Sequence, residues 1–136
     1  MSNKINNIFI IGAARSGTKF VRDVIGEAES VSVIPFDINH IWKQGINVIH
    51  DELRPEFLSD SKSKTIKRLI GDLECNNGEV FLIEKTVSNS LRLDWVDAIY
   101  PSAKYIVLVR DGKDVVESSY RVWKKGVSLV YLYKKF

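Results

Sequence analysis

The sequence contains a single cysteine, Cys75, among 136 residues, so no disulfide can form within the chain. An unpaired cysteine is typical of proteins that fold in a reducing compartment. The longest apolar run before Gly12 has only four residues, 8–11, and is too short for a signal peptide or a membrane span. The sequence also has no long Lys/Arg block of the kind found in nucleic-acid-binding tails. We therefore expect a cytoplasmic protein with no membrane segment and no nucleic-acid partner.

The composition is that of an ordinary globular chain, with 45% hydrophobic and 27% charged residues. The length fits a single domain over residues 1–136 and allows a real core. A net charge of +3 makes the chain mildly basic, which suits an anionic small ligand.

Three short apolar runs predict β-strands, at 8–11, 80–83 and 105–109. They do not alternate with polar residues and are rich in β-branched side chains, which favours strands buried on both faces.

Segments with helical spacing follow each run. They cover 17–27, 88–100 and 111–125, and two further helices are predicted over 38–50 and 65–75, separated by a polar loop at 51–63. In the first helix Phe20, Val21, Val24 and Ile25 form one apolar stripe, and in the second Leu91, Trp95, Val96 and Ile99 do so. Alternating strands and helices predict an α/β fold of three layers, with a parallel sheet flanked by helices. Ligands of such sheets bind at the carboxyl ends of the strands.

The segment Gly12 to Lys19, GAARSGTK, lies between the first strand and the first helix. Glycines at both ends permit a tight turn, and the backbone N–H groups of the turn and of the helix start can surround an anion. The segment is therefore P-loop-like. However, a nucleoside-triphosphate loop places Lys and then Ser or Thr after the second glycine, whereas Thr18 and Lys19 stand there in this chain. The sequence thus disfavours a kinase or NTPase, although this alternative stays open.

A second candidate anion site follows the third strand. Arg110 stands at the carboxyl end of that strand, Asp111 can cap the next helix, and Ser118 lies eight residues after Arg110. A guanidinium binds phosphate through two donors, and a serine hydroxyl can donate to the same group.

Together these motifs resemble those of the sulfotransferases that use 3′-phosphoadenosine 5′-phosphosulfate (PAPS). Gly12, Arg15, Ser16, Gly17 and Thr18 match the family's loop for the 5′-phosphosulfate, and Arg110, Asp111 and Ser118 match its segment for the 3′-phosphate. The stretch EKTVSN, Glu84 to Asn89, is similar to the family's Glu-Lys-Thr-Pro-x-Asn stretch, with Val87 in place of Pro. Lys19 replaces a common Thr or Ser. The resemblance covers nearly all of the chain.

The resemblance implies a PAPS-binding set and a reaction. The donor would be held by Gly12, Ala14, Arg15, Ser16, Gly17, Thr18, Lys19, Arg110 and Ser118. The reaction moves a sulfuryl group from PAPS to a hydroxyl or amine of a small-molecule, glycan, lipid or protein acceptor, without a metal. Arg15 would stabilise charge on the bridging oxygen, and Lys85 would add charge near the sulfuryl group or the acceptor.

The sequence offers more than one candidate for the general base. The resemblance favours a carboxylate shortly after the first helix, where Asp37 stands, and Asp37 is equally suited to cap a helix starting at Ile38. His40 and Glu84 are further candidates, and Glu84 is alternatively a buried partner of Lys85. Family domains extend beyond the helix that follows Arg110, so we expect the 136-residue chain to be a fragment, a truncated reading frame or a degenerate copy. A catalytically inactive domain that binds PAPS, or its product adenosine 3′,5′-bisphosphate (PAP), is therefore a further alternative.

Overall fold

A computed structural model of the protein describes residues 5–73 and 80–126. Within these two ranges four strands form one sheet: β1 (Asn6–Gly12), β2 (Val31–Val33), β3 (Phe81–Glu84) and β4 (Lys104–Leu108). Their order is β2-β3-β1-β4, and every neighbouring pair is parallel. The predicted α/β fold, with a parallel sheet flanked by helices, is therefore confirmed.

Helices connect the strands. They are α1 (Thr18–Ile25), α2 (Asn39–Trp42), α3 (Asp60–Gly71), α4 (Leu93–Ile99) and α5 (Gly112–Lys124), with short 3₁₀ helices at Pro55–Phe57 and Val87–Leu91. None of these described helices is long and apolar enough to cross a membrane. The predicted capping of the last helix is correct, since the Asp111 carboxylate accepts a hydrogen bond of 2.8 Å from the N–H of Lys113.

The main core lies on one face of the sheet. Phe9 and Ile11 point from β1 into a cluster with Trp42, Trp95 and Ile66 from the helices on that face. The Phe9 and Trp42 rings meet edge to face, with centroids 5.5 Å apart, an arrangement that stabilises an aromatic pair beyond its burial. This packing fixes β1 at the centre of the sheet and so determines where its carboxyl end emerges.

Several predicted boundaries are wrong. The helix predicted over 38–50 is confined to Asn39–Trp42, the one predicted over 65–75 already begins at Asp60 within the predicted loop, and the one predicted over 88–100 is divided into a 3₁₀ helix and α4. The strand β2 was not predicted, because a three-residue strand has too few positions to show a pattern. Cys75, at the end of the predicted 65–75 helix, lies outside the described residues.

The stripe predicted on the first helix does not face the sheet as a unit. Phe20 is 72% exposed and Val24 54% exposed, while the charged Arg22 is only 4% exposed. Arg22 is buried because its polar atoms find hydrogen-bond partners there, as described below.

Burial also departs from the prediction at two other places. Leu91, predicted on the inward stripe with Trp95, is 59% exposed because it belongs to the 3₁₀ helix that precedes α4. β4 is not buried on both faces, since Val107 is 63% exposed. Within the described residues β4 lies at the edge of the sheet, where fewer elements can cover it.

Candidate functional site

The loop between β1 and α1 requires glycine at position 12. A Cβ built there would lie 2.8 Å from Ser16 Oγ, 2.9 Å from Thr18 Cγ2 and 3.0 Å from the Leu108 carbonyl oxygen. The last of these is backbone and cannot rotate away. Gly12 therefore lets the loop fold back against the end of β4, which brings two strand ends into contact.

The loop then turns through two left-handed residues before α1 begins. Arg15 has a φ of +68° and Gly17 a φ of +100°. Gly17 adopts this conformation without steric cost, whereas Arg15 carries backbone strain of about 1 kcal/mol. Among the described residues no side chain caps the start of α1, so the N–H groups of its first turn remain available. A helix start of this kind attracts an anion.

The structure brings Arg15, Ser118 and Arg110 together. Arg15 Nε donates to Ser118 Oγ at 3.1 Å, and Arg110 Nη1 donates to the Arg15 carbonyl oxygen at 3.2 Å. Arg15 and Ser118 are 103 positions apart, and the fold joins them because β1 and β4 are neighbours with parallel carboxyl ends. The two arginines therefore lie side by side at the carboxyl ends of β1 and β4.

The acidic side chains near this cluster are exposed. Arg110 Nε lies 3.5 Å from Asp114 Oδ2, one helical turn into α5, and the side chains are 41% and 56% exposed. Such a pair contributes little to stability in water. It orients the Arg110 side chain and leaves it open to a stronger anionic partner.

Lys85 and Asp37 form a second cluster, on the other side of β1. Lys85 follows β3 directly, and its Nζ lies 2.6 Å from Asp37 Oδ1. The Lys85 side chain is 10% exposed and the Asp37 side chain 46% exposed. The two residues assigned to catalysis beside Arg15 thus form an ion pair whose carboxylate side faces solvent.

The alternatives for the base are narrowed by this geometry. Asp37 does not cap the helix, since the cap position is Ile38 and no side chain caps it among the described residues. Glu84 is fully buried and is not the partner of Lys85, which pairs with Asp37. A buried carboxylate cannot reach an acceptor from solvent. His40 is exposed on α2.

Glu84 instead belongs to a buried network behind the Lys85–Asp37 pair. It accepts hydrogen bonds from the Thr86 hydroxyl and, at 2.9 Å, from Asn89 Nδ2. Burial raises the pKa of Glu84 to about 7, and the Thr86 hydrogen bond opposes that rise.

The network ends at Arg92, which is 2% exposed and donates from Nε to Asn89 Oδ1 at 2.9 Å. Burial lowers the pKa of Arg92 to about 10, while the carboxylates of Asp51 and Glu84 act in the opposite direction. A guanidinium with this pKa is still charged at neutral pH. Arg92 therefore supplies a positive charge in the interior near Glu84.

The remaining predicted residues lie in or beside the loop. Ala14 and Lys19 are exposed, and Ser16 and Thr18 are buried. Ser16 Oγ donates to the Ala13 carbonyl oxygen at 2.7 Å, and its N–H donates to the same oxygen at 3.1 Å. In this structure Ser16 therefore supports the turn.

Two residues of this region were not identified from the sequence. Arg22 Nη1 donates to the Pro35 carbonyl oxygen at 2.7 Å, and Thr86 Oγ1 accepts from the Ile38 N–H at 2.9 Å. Both contacts hold the segment that carries Asp37. A charged residue inside an apolar helical stripe was the available signal for Arg22. The signal for Thr86 was its place in the EKTVSN stretch, which resembles the family's Glu-Lys-Thr stretch.

The described residues contain no group of three or more His, Cys, Asp or Glu side chains placed to hold a metal ion. Cations, an uncapped helix start and a carboxylate–ammonium pair lie instead along the carboxyl edge of the sheet. The fold and this edge define an α/β protein whose candidate site suits an anionic, phosphate-containing ligand.

The comparison with family models identifies the class more closely. The model described as the sulfotransferase family matches residues 7–134. Because this match covers nearly the whole chain, the protein belongs to the sulfotransferase family. Comparisons with curated proteins and with solved structures gave no significant match.

Proposed function

We propose that the protein binds PAPS along the carboxyl edge of its sheet and transfers the sulfuryl group to an acceptor hydroxyl or amine. The family supports sulfuryl transfer in general. The observation that carries the donor assignment is the contact of Arg15 with both Ser118 and Arg110. Cations from two strand ends can grip one doubly phosphorylated nucleotide only if they share an edge.

The residues present fit such a donor. Gly12 lets the loop fold back against the end of β4, where a Cβ would clash, and the start of α1, which no described side chain caps, offers N–H groups to the 5′-phosphate. Arg110 and Ser118 provide a bidentate cation and a hydroxyl for the 3′-phosphate. Arg15 is exposed between the 5′-phosphate site and the 3′-phosphate site, and its flexible side chain can reach either of them.

The chemistry asks for alignment and for charge stabilisation. As the acceptor oxygen or nitrogen forms its bond to sulfur, the bond between sulfur and the bridging oxygen breaks, and its electron pair stays on the 5′-phosphate of the product PAP. Arg15 would stabilise the negative charge that grows on this oxygen. Asp37 would take the acceptor proton, and Lys85 would attract the sulfuryl oxygens.

Placement of Asp37 and Lys85 supports a division of labour along the sheet edge. Their pair lies on the β3 side of β1, whereas Arg110 and Ser118 lie on the β4 side. The nucleotide would then extend toward β4, and the acceptor would approach from β3. A cytoplasmic location and a single domain stay predictions.

The function is tested by incubating the protein with ³⁵S-labelled PAPS and a panel of sugar, lipid, peptide and phenolic acceptors. Transfer of label that is lost in Arg15→Ala supports the proposal. PAP binding without transfer to any acceptor would identify a nucleotide-binding domain that lacks activity. Magnesium-dependent ATP binding in place of PAP binding would contradict the proposal and favour an NTPase.

A further inference from the structure

The segment that carries Asp37 is held at its backbone from two directions. Before Asp37, the Pro35 carbonyl oxygen accepts a hydrogen bond of 2.7 Å from Arg22 Nη1 on α1. After Asp37, the Ile38 N–H donates at 2.9 Å to Thr86 Oγ1, which directly follows Lys85 in the chain. The exposed carboxylate therefore sits between two fixed backbone points.

The Thr86 contact is fixed in its direction. A threonine hydroxyl has one hydrogen, and because Thr86 Oγ1 accepts from Ile38, that hydrogen points to Glu84 Oε1. The other Glu84 oxygen accepts from Asn89 Nδ2 at 2.9 Å. Thr86 is 1% exposed, and Glu84 and Asn89 are fully buried. The contact between Thr86 Oγ1 and the Ile38 N–H is thus shielded from solvent.

The Arg22 contact links the same segment to the candidate donor loop. Arg22 lies one turn after Thr18, the first residue of α1, and its side chain is 5% exposed. Its Nε and Nη2 both donate to Asp23 Oδ1, at 2.9 and 2.6 Å, which leaves Nη1 aimed at Pro35. Movement of α1 would therefore be transmitted to the segment that precedes Asp37.

We propose that Thr86 and Arg22 are positioning residues that hold the Asp37 carboxylate against Lys85, so that base and cation meet one acceptor atom. The inference rests on the proposed function for its catalytic consequence. The placement of Asp37 does not depend on that function. Its Oδ1 lies 2.6 Å from Lys85 Nζ whether or not the protein transfers a sulfuryl group. A misplacement of about 1 Å at such a pair lowers turnover by roughly 100-fold.

The test compares Thr86→Val, which keeps the shape and removes the hydroxyl, with Thr86→Ser, which keeps the hydroxyl. Thr86→Val is expected to lower kcat about 10- to 100-fold with less than about a twofold change in PAP affinity, and Thr86→Ser to recover most of the loss. Thr65→Val is the matched control, because the bond that the Thr65 hydroxyl makes to the described part of the chain stays within α3, to the Ser61 carbonyl oxygen. It should leave both quantities unchanged.

Two measurements report on the geometry without turnover. Amide hydrogen exchange at Ile38 should accelerate at least about tenfold in Thr86→Val and not in Thr86→Ser. A crystal structure of Thr86→Val should show the Asp37–Lys85 pair separated. Unchanged Ile38 exchange and an intact pair would overturn the inference. So would a loss of PAP affinity equal to the loss of kcat, which indicates general destabilisation.

Arg22→Met tests the segment from the other side and does not require the Thr86 variant to fold. The same split between kcat and PAP affinity is expected, and unchanged kcat would remove Arg22 from the proposal. If the wild-type protein binds PAP without transferring sulfate, the proposed reaction fails, while exchange at Ile38 and the ion-pair distance still decide whether Asp37 is held as described.

Discussion

Replacing Glu84 with Gln measures how much the ionisation of this carboxylate, buried behind the candidate site, changes the free energy of unfolding. Glu84 is fully buried, and burial raises its pKa from 4.5 to about 7. Because this folded-state pKa lies above the unfolded value, the folded protein binds more protons between these two pH values. The contribution of Glu84 to stability is therefore fully present below about pH 4.5 and is lost as the pH rises through about 7.

The size of this effect follows from the pKa shift. A shift of one pKa unit corresponds to about 1.4 kcal/mol, so a rise from 4.5 to about 7 corresponds to about 3 kcal/mol. Glu84→Gln removes the titration but keeps the size and polarity of the side chain. The free energy of unfolding of the variant, relative to the wild type, should thus increase by about 3 kcal/mol between about pH 4.5 and about pH 8.

Urea denaturation across this pH range measures the difference, and the contributions of all other titrating groups cancel. Glu27→Gln is the control, since it makes the same chemical change at an exposed position. Parallel curves for Glu84→Gln and the wild type would show that Glu84 titrates normally. They would refute the claim that Glu84 belongs to a hydrogen-bonded network shielded from water behind the Lys85–Asp37 pair.

Three further changes test the site directly. Arg110→Met should weaken PAP binding about 10- to 100-fold, because it removes a charged donor to a phosphate, and calorimetry measures this loss; normal affinity would remove Arg110 from the site. Arg15→Ala should lower the transfer rate about 100- to 1000-fold in the labelled-PAPS assay, and unchanged turnover would contradict its role at the bridging oxygen. Gly12→Ala places a Cβ 3.0 Å from the Leu108 carbonyl oxygen and 2.8 Å from Ser16 Oγ, so it should abolish PAP binding and lower the melting temperature, whereas Gly71→Ala, which has open space around the added Cβ, should do neither.

The strands at the centre of the sheet could be predicted because their side chains are buried on both faces and form continuous apolar runs. The approach of Arg15 to Arg110 also followed from the sequence, since parallel strands bring their carboxyl ends to one edge. The motif spacing indicated the same family that the family comparison found. These features depend on local pattern and on simple topology.

Other features depend on packing and could not be read from local pattern. Periodicity showed an apolar stripe on α1 but not which side meets the sheet, so the buried Arg22 was missed. The Lys85–Asp37 pair joins residues 48 positions apart through the unpredicted strand β2, whose register with β3 sets the path of the chain toward Asp37. Glu84 was considered as a base because sequence does not reveal burial.

The central claim is that the ends of β1 and β4 bind one nucleotide between them. A crystal structure of the protein with PAP tests it most directly. The 3′-phosphate is expected within hydrogen-bonding distance of Arg110 and Ser118, and the 5′-phosphate at the N–H groups that follow Gly12. A nucleotide bound elsewhere, or one that contacts only one of the two strand ends, would contradict the account.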